Sequence, residues 1–489
     1  MYFKKIIVVF ILLFIFIFNI DSQEIVTYKK VKSMTKEAIA NTMAIPAKYD
    51  VDVYVIEYTT HKLNLKKDTA SGVLAVAKDS RFRFPVAVYD HGTVDNRNDV
   101  PSKGSSEQMI AIAIASYGYH CVAPDYIGLG ISKGLHPYVN PESEAWATID
   151  LINASYTISN SEPIHFNEQV FVTGYSQGGH AAMATAFTIE QRKIKGIDSM
   201  NLTAAVPMAG PYSISKEMIS FTLGDKEYSF CAYLASAFLS AKMAHFDILG
   251  STSVEDVFLP EYAEMIRKYE NETIGLFTLN NLMKTKLSEN GGKIIPKRML
   301  KTEYLTELLS NPSNPLHIAL MRMDICNWVP EAQMKMLYCK SDDQVTYRNA
   351  VYTDSLMRAN GALKVSSQDV LSSGNHSTCF YPALLKMISI FNGLQRIDLI
   401  SNTEEPSSNV SVYPNPVDDK LIIDFNKNKK DYIKFTIFDI CGSIKIVDEI
   451  RMCNNQYFIN VRNLNPGLYF LLVNDGDSNV YFHKFIIQR

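Results

Sequence analysis

The sequence is poor in cysteine, nearly balanced in charge and short of long apolar runs. Seven cysteines in 489 residues do not make a disulfide scaffold, and because the count is odd, at least one cysteine stays free. The formal net charge is −3 with no Lys/Arg-rich block, which gives no support for a nucleic-acid partner. The sequence contains no metal-ligand cluster, Gly-rich phosphate loop or C-x-x-C pair, so its chemistry is expected to need no metal and no cofactor.

The one long apolar run stands at the start of the chain. Residues 1–5 include two lysines, residues 6–18 are all apolar, and residues 19–23 are mostly polar or small. This layout is that of a secretory signal peptide, which we place at residues 1–22. The alternative is an uncleaved anchor, although the run is short for a membrane span. The mature protein is therefore predicted to be secreted or held at the cell surface, where cysteines could be oxidised.

The chemistry centres on residues 174–178, GYSQG, which match G-x-S-x-G. An apolar run at 170–172 precedes the motif as a predicted strand, and a run of small residues follows it as a predicted helix. This context indicates a nucleophile elbow, with Ser176 at its tip and the backbone N–H of Gln177 directed at the future oxyanion. The alternative is a glycine-rich helix start with an ordinary serine.

Predicted strands and helices alternate around the elbow. Two alternating runs, 51–59 and 71–77, predict an antiparallel hairpin. Further strands are predicted at 84–90, 121–125, 202–209, 334–339 and 364–367, and helices at 107–117, 142–155, 347–359 and 381–391. The pattern indicates an α/β fold with a mostly parallel sheet covered by helices on both faces. Chemistry is then expected at the carboxyl ends of the strands, where His91, Asp125 and Ser176 fall.

A long insertion separates the strand at 202–209 from the next core strand. It spans residues 212–333, far more than a sheet connection needs, and it has strong helical character. We interpret it as a cap over the serine that builds an apolar acyl pocket. The alternative is a helical subdomain that only buries its own apolar face.

A serine nucleophile needs a base, and the chain order expected for this fold is serine, acid, histidine. His376 follows the last predicted strand and is the expected base. His180 lies on the elbow helix, where it is expected to point away from the site and to be structural.

The acid is expected in the turn after the strand at 334–339. Asp342 and Val345 match the D-x-x-V pattern of this turn, so Asp342 is the expected acid. The adjacent Asp343 is the alternative, because neighbouring side chains point in different directions and only one can meet the imidazole.

The second oxyanion donor is expected in the loop after the strand at 84–90. Glycine at position 92 lets the backbone turn inward, so the N–H of Thr93 is the candidate. Asp125 precedes the serine and is out of order for the acid, so a structural hydrogen-bonding role is expected for it. The predicted mechanism is acylation of Ser176 followed by hydrolysis with the same histidine.

These motifs together resemble the α/β-hydrolase secretory lipases and esterases of bacteria and fungi. The residues that carry the resemblance are HGT at 91–93, PDYIGLG at 124–130, HPY at 136–138, GYSQGGH at 174–180, and Asp342 with His376. The resemblance covers roughly residues 45–395, so we expect a catalytic domain at 23–400. It implies carboxylic ester hydrolysis with a helical lid before the acid strand. Cys339 and Thr346 depart from it, since glycine and proline are common at those positions.

The character of the chain changes after residue 400. Residues 401–408 predict a polar linker, and residues 409–489 predict a small all-β domain, expected to be a sandwich. Its strands are predicted at 420–425, 434–440, 457–460, 468–473 and 480–487. The sequences YPNP at 413–416 and PGLY at 466–469 resemble the sorting domain of the type IX secretion system of Bacteroidetes. That resemblance implies export by this machinery; from the residues alone, the domain would be a sandwich of unknown role.

The leading hypothesis is a secreted serine esterase or lipase acting on a lipid or small acyl ester. Within enzymes, the alternatives are a serine peptidase of the same fold and an esterase for acetyl or feruloyl groups on polysaccharides. An inactive surface-binding protein is the alternative from another class. The ordered serine, acid and histidine argue against the last alternative, and fluorophosphonate labelling of Ser176 would separate the two classes.

Overall fold

The computed structural model describes residues 25–400, 410–425, 432–440, 443–452, 456–474 and 480–489. The predicted signal peptide, residues 1–22, and the predicted linker, residues 401–408, lie outside these residues. The chain divides into two compact units, Met1–Asp398 and Leu399–Arg489. Within the described part of the chain, no helix combines the length and apolar character needed to cross a membrane.

The first unit is built on one mixed sheet. Its strands are β1 (Ile25–Met34), β2 (Val51–His61), β3 (Lys67–Ala77), β4 (Phe82–Asp90), β5 (His120–Pro124), β6 (Phe166–Tyr175), β7 (Asn201–Met208), β8 (Gln333–Tyr338), β9 (Val365–Asp369) and the two-residue β10 (Asp398–Leu399). The order in the sheet is β1-β2-β3-β5-β4-β6-β7-β8-β9. β2 and β3 form the predicted antiparallel hairpin. The strands from β5 to β9 in this order are parallel, which confirms the predicted mostly parallel sheet.

Helices cover both faces of the sheet, as predicted. They are α1 (Lys36–Met43), α2 (Ser106–Ala115), α3 (Pro141–Ile158), α4 (Gln177–Ile194), α13 (Arg348–Ala359) and α14 (His376–Leu394), with α5 to α12 in the insertion described below. Side chains of β6 alternate between the faces, because successive residues of a strand point in opposite directions. Val170 and Val172 lie in the core that includes α3 and α4, and Phe171 lies in the core that includes α2 and α14.

Two elements at the start of the described chain were not predicted from sequence. β1 pairs antiparallel with β2 at the edge of the sheet, and α1 follows it. The side chains of β1 are exposed or half-buried along its whole length, and several are lysines. No alternating apolar pattern therefore marks this edge strand in the sequence.

The insertion at 212–333, which we call the cap, is helical as predicted. It contains α5 (Ile219–Thr222), α6 (Ala232–Ala244), α7 (Phe246–Leu249), α8 (Val254–Val257), α9 (Pro260–Glu270), α10 (Leu276–Ser288), α11 (Thr302–Ser310) and α12 (Pro315–Met323). Its apolar side chains form a core of their own, in which Phe238, Phe258 and Met299 are buried. The cap is thus stabilised by a hydrophobic core of its own.

The second unit is all-β, as predicted. Its described strands are β11 (Val410–Tyr413), β12 (Lys420–Phe425), β13 (Tyr432–Asp439), β14 (Ile444–Arg451), β15 (Tyr457–Asn460), β16 (Gly467–Asn474) and β17 (Val480–Ile487). They form two antiparallel sheets, β11-β12-β15 and β14-β13-β16-β17. Leu421 of one sheet and Ile437 and Leu471 of the other are buried in a shared core, which is the arrangement of a sandwich. The sequence did not predict β11 or β14, and β14 leaves Ile444 and Val447 exposed.

Candidate active site

Ser176 is the single residue between the end of β6 and the start of α4. Its φ of 61° and ψ of −122° are unusual for a residue with a side chain and define a sharp turn. A Cβ at Gly174 would lie 2.1 Å from the carbonyl oxygen of Gly178, and a Cβ at Gly178 would lie 1.9 Å from that of Asp90. Only glycine therefore fits two residues before and two residues after the serine. The turn has the geometry of a nucleophile elbow.

The turn after β8 brings a carboxylate to the imidazole of His376. Oδ2 of Asp342 lies 2.7 Å from Nδ1 of His376. The other oxygen, Oδ1, accepts the backbone N–H groups of Gln344 and Val345 at 2.9 and 2.8 Å. Asp343 instead accepts the backbone N–H of His376 at 3.0 Å. The two neighbouring aspartates therefore hold different parts of the same histidine, and Asp342 is the one that contacts the ring.

His376 is the first residue of α14, five residues before the helix start that the sequence predicted at 381. The prediction was wrong because Asn375 caps the helix, with its side-chain oxygen accepting the N–H of Thr378 at 2.9 Å. Pro382 lies inside the helix and does not mark its start. The hydroxyl of Tyr175 donates to the carbonyl of His376 at 2.5 Å, and the two ring centres are 4.9 Å apart. The backbone of the histidine is thus anchored to the elbow strand.

Cys339 and Cys379 form a disulfide, a pairing that the sequence left open. The described chain also contains three buried cysteines in the free form, Cys121, Cys231 and Cys326. The expectation of at least one free cysteine is therefore confirmed. Cys441 and Cys453 lie outside the described residues.

One predicted oxyanion donor, Gln177, adjoins the serine, and the loop that carries the other, Thr93, approaches it. Gln177 is the first residue of α4, and the first N–H groups of a helix have no carbonyl partner within it. The loop after β4 approaches the serine, since a Cβ at Gly92 would lie 3.8 Å from the Cβ of Ser176. Thr93 follows in this loop, and its Oγ1 lies 3.0 Å from the hydroxyl of Tyr138. Donation by the N–H of Thr93 stays a prediction.

A buried polar network, which the sequence did not reveal, holds the side chain of Gln177. Its Nε2 lies 2.6 Å from Nε2 of His136 and 2.9 Å from Oε1 of Glu144. Burial lowers the pKa of His136 to about 4, so its ring is neutral and one nitrogen can accept. Its Nδ1 lies 2.8 Å from the carbonyl of Ile127, which makes Nε2 the acceptor for Gln177. No spacing signal separates Glu144 from the other acidic residues of α3.

His180 and Asp125, which were expected to be structural, both have buried hydrogen-bond partners. His180 is fully buried, with Nδ1 2.7 Å from Glu144 and Nε2 3.1 Å from the carbonyl of Met323. Asp125 accepts the hydroxyl of Ser71 at 2.5 Å and the backbone N–H of Ser102 at 2.9 Å. Both side chains thus have hydrogen-bond partners other than the serine.

Two pockets meet at the site. One spans about 640 Å³, including space open to solvent, and reaches Ser176. Its walls are largely apolar and come mostly from the cap, including Ile214, Met218, Leu234, Phe238, Leu316 and Leu320. The other spans about 980 Å³, again including space open to solvent, and is lined in part by Asn96, Arg97 and Glu272. The pockets share Tyr138 and Gln177. The cap therefore forms part of the site as well as burying its own core.

Two regions of the chain match known families. Residues 101–191, which include the elbow, match the secretory lipase family. Residues 411–488 match the secretion system C-terminal sorting domain. No curated protein is similar enough in sequence to count as a match.

Several solved structures share the architecture of the first unit. The rice cell wall degrading esterase LipA from Xanthomonas oryzae is 26% identical, with a TM-score of 0.65, covering 76% of this chain and 97% of that one. A putative hydrolase from Legionella pneumophila is 22% identical, with a TM-score of 0.67 and coverage of 76% and 98%. Candida antarctica lipase A is 16% identical, with a TM-score of 0.54 and coverage of 76% and 82%. The last two likenesses concern the fold alone.

The elbow, the capped sheet and these similarities agree with one another. The chain is a carboxylic ester hydrolase with the α/β-hydrolase fold, its C-terminal region matches a secretion sorting domain, and it is an extracellular or cell-surface protein.

Proposed function

We propose that the chain hydrolyses esters through an acyl-enzyme on Ser176, with His376 as general base and Asp342 as the carboxylate that orients it. The observation that carries the proposal is the 2.7 Å contact between Nδ1 of His376 and Oδ2 of Asp342, on the sheet edge where the elbow presents the serine. A carboxylate at Nδ1 keeps the proton on that nitrogen. Nε2 is then the nitrogen that can take the serine proton.

The proposed reaction has two halves. Nε2 of His376 removes the hydroxyl proton of Ser176 as Oγ attacks the ester carbonyl carbon. The N–H groups of Gln177 and Thr93 stabilise the oxyanion, and the alcohol leaves with the proton held by the histidine. Water then gives a proton to the same histidine as it attacks the acyl carbon. The bond from that carbon to Oγ breaks, the histidine returns the proton to Oγ, and the acid is released.

The acyl group is proposed to occupy the 640 Å³ pocket. Its walls are mainly aliphatic and aromatic side chains, as in most small-molecule sites. Burying a hydrocarbon chain there contributes roughly 0.8 kcal/mol for each methylene group. An ester with an apolar acyl chain is therefore the substrate that this pocket supports best.

A second candidate substrate is a cell-wall ester whose alcohol part is polar. The observation that favours it is the 980 Å³ pocket, because Asn96, Arg97 and Glu272 could bind hydroxyl groups on the other side of Gln177. The LipA structures are described as those of a rice cell wall degrading esterase. The apolar pocket would then hold only a short acyl group.

The C-terminal unit is proposed to be the part that the type IX secretion machinery recognises. The proposal is supported by the match over residues 411–488, which covers most of the sandwich. Removing residues 409–489 should leave the hydrolase inside a type IX-secreting cell. Secretion of the truncated chain at the normal level would exclude this role.

Hydrolysis of p-nitrophenyl esters from acetate to palmitate tests the substrate proposal. Rates that rise with chain length would support a long acyl chain, and activity on acetate alone would favour the cell-wall ester. Ser176→Ala is the control and should lose at least about 10³-fold in kcat. Failure of every ester to react would contradict the proposal.

A further inference from the structure

Gln344 joins the acid turn to the cap. Its backbone N–H donates to Oδ1 of Asp342 at 2.9 Å. Its backbone carbonyl accepts the hydroxyl of Tyr228 at 3.0 Å, and its side-chain Oε1 accepts the hydroxyl of Tyr233 at 3.1 Å. Tyr228 precedes α6 and Tyr233 lies within it, so both belong to the cap. A single residue thus connects the cap to the carboxylate that contacts His376.

The bonds of this bridge lie in a largely buried region. Gln344 is 8% exposed, Asp342 7% and Tyr228 3%. Burial also raises the pKa of Tyr228 and Tyr233, so both hydroxyls stay protonated and remain donors. Because water has little access, losing one of these bonds leaves a buried polar group without a partner.

The position of the acid turn decides where the carboxylate of Asp342 points. Its Oδ1 is held by two N–H groups of the turn, one of which belongs to Gln344. Its Oδ2 meets the imidazole of His376 at 2.7 Å. A small displacement of residue 344 would therefore change the orientation of the base, and catalysis is sensitive to misplacement of about 1 Å.

We propose that Gln344 is a positioning residue, through which Tyr228 and Tyr233 of the cap hold Asp342 against His376. The inference rests on the proposed function, in which Asp342 and His376 act on Ser176. The cap then contributes to the rate of the chemical step as well as lining the acyl pocket.

Two variants remove the same hydrogen bond from its two ends. Gln344→Met removes the side-chain acceptor while keeping the backbone and approximate size, and Tyr233→Phe removes the donor. With p-nitrophenyl butyrate as substrate for the full chain, each should lower kcat about 5- to 10-fold and change KM less than about 2-fold. The double variant should be no worse than about 10-fold, because the bond between Gln344 and Tyr233 is already lost in each single variant.

The matched control is Tyr304→Phe. Tyr304 is also a cap tyrosine, but its buried hydroxyl has no hydrogen-bond partner within the described residues. This variant should keep the wild-type kcat. The proposal would be overturned if Tyr304→Phe lost as much kcat as the other variants, or if Gln344→Met and Tyr233→Phe changed KM alone. It would also be overturned if the losses added up in the double variant.

Two further measurements keep the outcomes separate. Thermal unfolding of each variant shows whether it folds, and Tyr228→Phe replaces Gln344→Met if the latter does not; it should also lower kcat about 5-fold. Ser176→Ala tests the underlying function. If Ser176→Ala remains active, the proposed function fails; if it is inactive while Gln344→Met and Tyr228→Phe keep the wild-type kcat, only the role of Gln344 fails.

Discussion

Cys339 and Cys379 are bonded to each other beside the contact between the acid and the base. Asp342 lies three residues after Cys339, and His376 lies three residues before Cys379. Both cysteines are fully buried, and their separation in sequence is 40 residues. The disulfide therefore ties the end of β8 to the first turn of α14, the two elements that bring the carboxylate to the imidazole.

Replacing both of these cysteines with alanine should lower the free energy of unfolding by about 3 kcal/mol. The reason is that the cross-link restricts the unfolded chain across a loop of this length. Urea denaturation of the oxidised wild type and of the double variant measures the difference. Cys326→Ala, at a free buried cysteine, is the control and should cost about 1 kcal/mol. Equal losses in the two variants would show that the cross-link adds nothing.

The two adjacent aspartates should respond very differently to substitution. Asp342→Asn removes the charge that orients and stabilises the protonated imidazole, and it should lower kcat about 10⁴-fold. Asp343→Asn weakens only one bond to the backbone N–H of His376 and should lower kcat about 10-fold or less. Steady-state kinetics on one soluble ester measures both. A larger loss in Asp343→Asn would reverse the assignment of the acid.

The candidate residues of the site could be predicted from sequence because their positions follow the topology of the fold. The chain order serine, acid, histidine and the carboxyl ends of parallel strands were enough to propose Ser176, His376 and one of the adjacent aspartates, Asp342 or Asp343. The choice between Asp342 and Asp343 stayed open, since side-chain direction in a turn depends on backbone angles that no pattern specifies. The contact at 2.7 Å is what separates the two.

The supporting residues of the site could not be named from sequence. Glu144 and His136 are far from Gln177 in the sequence, yet both hydrogen-bond to its side chain. Gln344 likewise accepts hydrogen bonds from two tyrosines of the cap. Such contacts depend on how α3 and the cap pack against the sheet. Neither hydrophobic period nor motif spacing carries that information.

Asp90 should make the stability of the protein decrease as pH rises. Its carboxyl group is buried beneath the elbow, and burial raises its pKa well above the usual range. Thr148 donates to one oxygen at 2.8 Å, and the other oxygen has no partner within the described residues. In the unfolded chain the carboxyl ionises near pH 4, so above that pH the unfolded state releases a proton that the folded state keeps. The stabilising contribution is therefore full below about pH 4 and is lost as the pH rises through the raised pKa.

Asp90→Asn removes this dependence. The free energy of unfolding of the variant, relative to the wild type, should increase by at least about 1 kcal/mol between pH 4 and pH 8. Urea denaturation at pH 4, 6 and 8 measures the change, and the comparison holds even if the amide adds a constant cost. A difference that does not vary with pH would contradict burial of a protonated carboxyl group at this position.

Narrowing the apolar pocket should shift the preference for acyl length. Ala237 of α6 lines this pocket, and Ala237→Trp would fill part of its volume. Hydrolysis of p-nitrophenyl laurate should fall at least about 10-fold relative to acetate, because the lost burial amounts to two or more methylene groups. Leu309→Trp, at an exposed position of the cap outside the pocket, is the control and should leave the ratio unchanged. An unchanged ratio in Ala237→Trp would place the acyl chain elsewhere.

Secondary structure was predictable where apolar patterns were strong. β2, β3, β4 and β6 carry alternating or continuous apolar runs, and their existence and the pairing of β2 with β3 followed from sequence. β1 and β14 were not predicted because they expose many of their side chains and include several charged ones. The predicted start of α14 was wrong because a single residue, Asn375 at the N-cap position of the helix, determines it.

The most direct test of an acyl-enzyme on Ser176 is the site of covalent modification by a fluorophosphonate ester. We expect one adduct per chain, located on Ser176 by peptide mass spectrometry, and loss of ester hydrolysis in step with labelling. Ser176→Ala should neither label nor hydrolyse above a residual rate about 10³-fold or more below wild type. An adduct on another residue, or hydrolysis at the wild-type rate in Ser176→Ala, would contradict an acyl-enzyme on this serine.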